Sequence, residues 1–180
     1  MTRTTKLALK WASYILNMAL LSSAVTPLFA QDAQHEDHNA PSTLVQDVRK
    51  ATQQFLDVNN AAPAYQPAFG CVSGPDHGAM GIHYVNGPLV GDGQIDVKHP
   101  EALIYEPEGN KLRLVGVEYI VDAATWLKNK ASLDGQLFNL VPAPNRFGLA
   151  DFFELHVWAW RENPQGAFVD WNNNVTCEKQ

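Results

Sequence analysis

The sequence predicts an α+β fold: an N-terminal helix packed on a curved antiparallel sheet or small β-barrel. Two observations carry this reading. One early segment repeats its apolar residues at helical spacing, and beyond Gly70 the chain falls mostly into short β-prone runs separated by turn residues. A jelly-roll-like all-β fold is the alternative. Residues 42–180 are expected to form a single globular domain, a length that suits one core.

The helix is expected over residues 41–58. Thr43 and Gln46 have capping-box spacing, and Leu44, Val48, Ala51 and Phe55 form one apolar stripe. Asn59-Asn60 ends it, and residues 61–67 are extended and proline-punctuated. A strand over 79–85 ends at the turn dipeptide Asn86-Gly87. Residues 102–105 and 112–121 flank Glu106-Pro107-Glu108-Gly109-Asn110, which predicts a hairpin with a longer loop. A short helix is expected over 123–130 and an extended piece over 138–141. The strongest strand lies over 152–161, rich in aromatics, and a last strand over 167–171.

The N-terminus reads as an export signal. Arg3, Lys6 and Lys10 precede an uncharged, mostly apolar stretch over residues 11–30, which ends in small residues and Pro27. Residues 1–30 are therefore expected to be a signal peptide, with a retained membrane anchor as the alternative. Residues 31–41, rich in charge, form a flexible polar tether. Removal of the signal deletes three of 13 basic residues and none of 19 acidic ones, leaving a net charge of −9 with histidines neutral. Such a surface argues against nucleic acid and against anionic membranes as partners. A secreted or periplasmic soluble protein is expected. In an oxidising compartment the two cysteines, Cys71 and Cys177, are expected to pair.

The chemistry concentrates in the run from Phe152 to Trp160. Side chains alternate along a strand, so Phe152, Glu154, His156, Trp158 and Trp160 are expected on one face and Phe153, Leu155, Val157 and Ala159 on the other. The first face mixes a carboxylate, an imidazole and indoles, the composition of ligand pockets. His83 and Glu118 lie in two other predicted strands and join this face if the strands are neighbours. The ligand-binding set is then His83, Glu118, Glu154, His156 and Trp158. Two imidazoles with a carboxylate suit a divalent transition metal (Zn, Cu or Fe), and the metal set is read as His83, His156 and Glu154. In a metal-free enzyme, His156 with Glu154 or Glu118 would be the acid–base pair. The bland reading is that these groups hydrogen-bond in a polar patch that holds strand register.

Other motifs exclude chemistry rather than suggest it. Asp92-Gly93-Gln94-Ile95-Asp96 does not continue in calcium-loop register and is read as a turn. Ser73 is not in a nucleophile elbow, and neither a phosphate-cradling loop nor a dinucleotide fingerprint is present. Trp126, Trp158, Trp160 and Trp171 suit sugar stacking or plain core.

The segments GAMGIHYVNG, EALIYEP, LVGVEYIV, PNRFGLADFFELHVWAW and NPQGAFVDWN resemble a family of small uncharacterised exported bacterial proteins over most of residues 42–177. The resemblance implies secretion and a single domain, and lends no catalytic residue. Three functions remain open: binding of a small ligand or metal ion at the aromatic–polar sheet face; a metal-dependent or acid–base enzyme using His83, His156 and a carboxylate; and a structural or interaction module.

Overall fold

The computed structural model describes residues 42–74 and 76–178; the expected signal and tether lie outside the described residues. Helix α1 spans Thr43–Thr52 and tightens into a 3-10 turn over Gln53–Leu56. Ser42, one residue before the expected cap, closes its first turn by accepting from the Val45 amide at 3.3 Å. Leu44, Val45 and Val48 are buried against the sheet. Each contributes about 2 kcal/mol by leaving water, which holds a helix too short to persist alone.

Among the described residues eight strands follow. They are β1 (Gln66–Ser73), β2 (Ala79–Val85), β3 (Ala102–Glu108), β4 (Lys111–Asp122), β5 (Ser132–Leu133), β6 (Gln136–Leu137), β7 (Asn139–Val141) and β8 (Phe152–Val157). Six form one antiparallel sheet in the order β1-β2-β3-β4-β8-β7; β5 and β6 make a separate small ribbon. A four-residue helix, α2 (Gly87–Val90), follows β2. The architecture is α+β, mostly sheet: a curled antiparallel sheet with one short helix against it. Bulges in β1 and at Val115 of β4, opposite Ile104 and Tyr105, supply local twist.

The two sheet faces differ in kind. The helix side packs Leu103, Tyr105, Val117, Tyr119, Leu155 and Val157 into the main core. The opposite side carries His83, Glu118, Glu154 and His156, flanked by two small apolar clusters. Ala79, Ile104, Val115, Trp158 and Val175 form one, and Ala102, Ile120 and Phe152 the other. Cys71 and Cys177 are bonded with Cα atoms 5.7 Å apart, tying edge strand β1 to the C-terminal segment. Beside this link the Thr176 amide donates to Glu106 Oε1 at 3.0 Å. Gly78, at φ +76°, lies so close to the Asn172 carbonyl that a Cβ would overlap it, and the Ala79–Asn172 bridge depends on that approach.

Several local expectations need correction. The hairpin loop is shorter than predicted, because β3 and β4 run on to a tight turn at Gly109-Asn110, with Gly109 at φ +67°. Residues 123–130 hold one turn rather than a helix. Asp122 closes it through Ala124 and Thr125; Trp126 packs on the core but Leu127 is 92% exposed, so there is no apolar stripe to extend it. Residues 167–171 form turns, with only the Ala79–Asn172 bridge nearby. Strand β1 and the β5–β6 ribbon were not predicted; the Asp134-Gly135 turn, with both φ angles positive, was the missed signal for the ribbon.

Candidate metal centre

The cluster is assembled across four strands. His83 on β2 pairs with Ile104 on β3, Ala102 on β3 with Glu118 on β4, and Glu118 with His156 on β8. Directly paired residues share a face, so strand alternation delivers Glu118, Glu154 and His156 to one side. His83 and Glu118 are separated by the whole of β3. Neighbouring strands lie about 4.8 Å apart, so a flat sheet would hold their backbones about 10 Å apart. The curl of the sheet lets His83 Nε2 come within 3.3 Å of Glu118 Oε2, with the small Ala102 paired directly beside Glu118.

The imidazole rings of His83 and His156 lie 5.9 Å apart, edge to face, and the Trp158 indole stacks on His156 at 5.9 Å. His156 is fully buried, and His83, Glu118 and Glu154 are each 4% exposed. His83, Glu118 and His156 each offer a ligand atom, all within 4.8 Å of one another. Glu154, His156 and Asp170 form a second set by the same measure. The structure therefore brings together all five residues of the predicted binding set. It puts Glu118 rather than Glu154 in the set with both histidines, and it adds Asp170, which sequence reasoning missed. Asp170 stood in a predicted strand and had no partner legible from spacing.

Trp160 leaves the expected face. Strand β8 ends at Val157, and the chain turns at Ala159, whose amide donates back to the Val157 carbonyl. The Trp160 indole then donates to Thr52 on α1, on the helix side of the sheet. Arg49 of α1 donates to the Ala159 carbonyl in the same corner.

Electrostatics keep the histidines and one carboxyl uncharged. Burial pushes His83 down to about 4, offset in part by the Gly81 backbone. Burial, aided by His83, holds His156 well below the ordinary histidine range. Burial and then the Glu154 charge raise Glu118 well above the usual carboxylate value. Burial raises Glu154 as well, offset by its hydrogen bond with Glu118 and reinforced by Asp170, so the two neighbouring carboxyls both resist ionising. The His83–Glu118 contact is thus not an ion pair, since burial opposes both charges.

The hydrogen-bonding of the imidazoles is incomplete. His83 Nδ1 and both nitrogens of His156 are buried with no hydrogen-bond partner. The Gly81 backbone stands near His83 without completing a bond in good geometry. Native interiors rarely leave such groups unpartnered, and a buried water or ion is the usual reason. A cavity of about 30 Å³, lined by His83 and Glu118 among the aromatic rings of Phe69, Phe147 and Phe152, adjoins the cluster. It has room for about one water-sized ligand. A larger cleft, of about 810 Å³, lies elsewhere, between α1 and residues 96–99, and contains none of the cluster. Its size does not outweigh the buried, unpartnered donor set. The Asp92–Asp96 segment is a turn, with Gln94 and Lys98 amides donating to the two aspartates, as the sequence predicted.

Fold and site together define an α+β protein with a buried His–Glu–His cluster of metal-ligand composition. No family model, curated protein or solved structure matches the chain.

Proposed function

We propose that this is an exported protein that binds a divalent transition metal ion through His83, Glu118 and His156. The observation that carries the reading is the set of three unpartnered nitrogens on two buried histidines beside a buried carboxyl. A metal ion supplies a partner for one nitrogen of each ring, and the imidazoles are held in the neutral form that ligates. Two nitrogens and one oxygen suit Zn²⁺, Cu²⁺ or Fe²⁺. Three protein ligands leave a coordination position for water or substrate, the pattern of reactive rather than closed structural sites, and the adjoining 30 Å³ cavity suits such a ligand. Export is supported by the Cys71–Cys177 bond, which is consistent with an oxidising compartment. Among the described residues no helix is long and apolar enough to cross a membrane.

The test uses untagged full-length protein stripped with a chelator, reloaded with Zn²⁺ and analysed by elemental mass spectrometry. The wild type is expected to retain zinc tightly, with affinity at least tenfold weaker in His83→Gln and in His156→Gln. Wild-type protein that retains no zinc, copper or iron, while the variants are merely less stable, would return the cluster to a structural hydrogen-bond network.

A further inference from the structure

We propose that His156 is a shared ligand, and that Glu154, His156 and Asp170 form a second cation position beside the first. The inference rests on the metal reading above and extends it from one ion to two. Both nitrogens of His156 are buried and unpartnered, and one lone pair cannot serve two directions. Glu118, with His83 against it, reaches the ring from β4 on one side of β8; from the β7 side, Asp170 Oδ1 lies 3.7 Å from Nδ1. Glu154, two residues along the same strand face, completes the second set within 4.8 Å.

The surroundings support that geometry. Asp170 is aimed by Asn139, whose Nδ2 donates to Oδ1 at 3.2 Å. Asn139 is itself paired with Glu154 across β7 and β8, so the same register positions both carboxylates. The Trp158 indole donates to the Val169 carbonyl at 2.6 Å, pinning the chain beside Asp170 while its ring stacks on His156. The two positions differ in access. His83, Glu118 and His156 are buried, whereas the Asp170 side chain is 30% exposed and lines a cleft of about 480 Å³ with His77, Asn139 and Trp171. The second ion would face solvent and take an exchangeable water or a small anion. With an ion on each nitrogen, the ring loses its N–H proton to solvent and bridges the pair as imidazolate.

Zinc stoichiometry tests this on the full chain. Two ions per wild-type chain are expected, one in Asp170→Asn, one in Glu154→Gln and one in His83→Gln. A single ion in the wild type, unchanged in both Asp170→Asn and Glu154→Gln, would overturn the second position and leave the first standing. No ion in the wild type would overturn both. Loading with Cu²⁺ tests the bridge itself. A coupled pair gives an electron paramagnetic resonance intensity well below that of two independent ions, and Asp170→Asn restores the spectrum of one isolated ion. Two ions with full additive intensity would overturn the shared ring.

Discussion

Glu101 offers the sharpest energetic test of how the end of the β3–β4 ladder is held. Strand β3 begins at Ala102, so the Ile120 amide on β4 has run past its ladder, and Glu101 Oε2 accepts from it at 3.0 Å. The side chain is 2% exposed. Burial pushes it from 4.5 up to about 8, offset by the amides it accepts from and reinforced by Asp92 and Asp96. The folded state therefore keeps a proton that the unfolded chain releases above pH 4.5. Between those values the folded form binds more protons, so stability falls as pH rises. From pH 5 to pH 8 the loss attributable to Glu101 is at most about 4 kcal/mol. Glu101→Gln keeps an oxygen for the Ile120 amide and removes the titration. Urea unfolding of the chelator-treated proteins, followed by tryptophan fluorescence at pH 5, 6.5 and 8, isolates the effect as the difference between variant and wild type. The variant is expected to gain on the wild type steadily with pH, by several-fold to a thousandfold in the unfolding constant at pH 8. A difference that stays flat across pH, or that shrinks, would refute the reasoning.

Four further outcomes follow from the same structure. Replacing both Cys71 and Cys177 with serine opens a loop of separation 106 and is expected to cost up to about 4–5 kcal/mol, read as a lower urea midpoint. Apparent zinc affinity is expected to rise with pH, because burial and Glu154 hold a proton on Glu118 that the metal must displace, while the histidines are already neutral; competition titrations at pH 6, 7 and 8 check the sign. Ala102→Leu puts bulk against its paired neighbour Glu118 and is expected to cost about 1–3 kcal/mol in stability and to weaken zinc binding, whereas unchanged affinity would show that the carboxyl does not depend on a small neighbour for its position. Trp160→Phe removes the bond to Thr52 and is expected to cost about 1 kcal/mol without altering zinc affinity, since its ring lies on the helix side.

Much of the local pattern was legible. Leu44 and Val48 face the core because a helical stripe has one buried side, and His156 shares a face with Glu154 and Trp158 because strand side chains alternate. The disulfide was legible from compartment and count. What failed depended on where a pattern stops. The alternation predicted Trp160 beside His156, but β8 ends at Val157 and the turn at Ala159 carries the indole to the other side. Asp170 was illegible because it reaches His156 from a turn segment, where no period relates one side chain to another.

Alone, the amino-acid order determined which residues of each strand travel together, since a two-residue period is a property of the backbone itself. It determined too that a helix would cover one face and that the two cysteines had each other as partners. Only the tertiary structure decided that His83 would lean across β3 to Glu118, and that Asp170 would close on the far nitrogen of His156. Those contacts depend on strand order, on the curl of the sheet and on a loop's path. Each is set by the packing of the whole domain, so no local spacing encodes it.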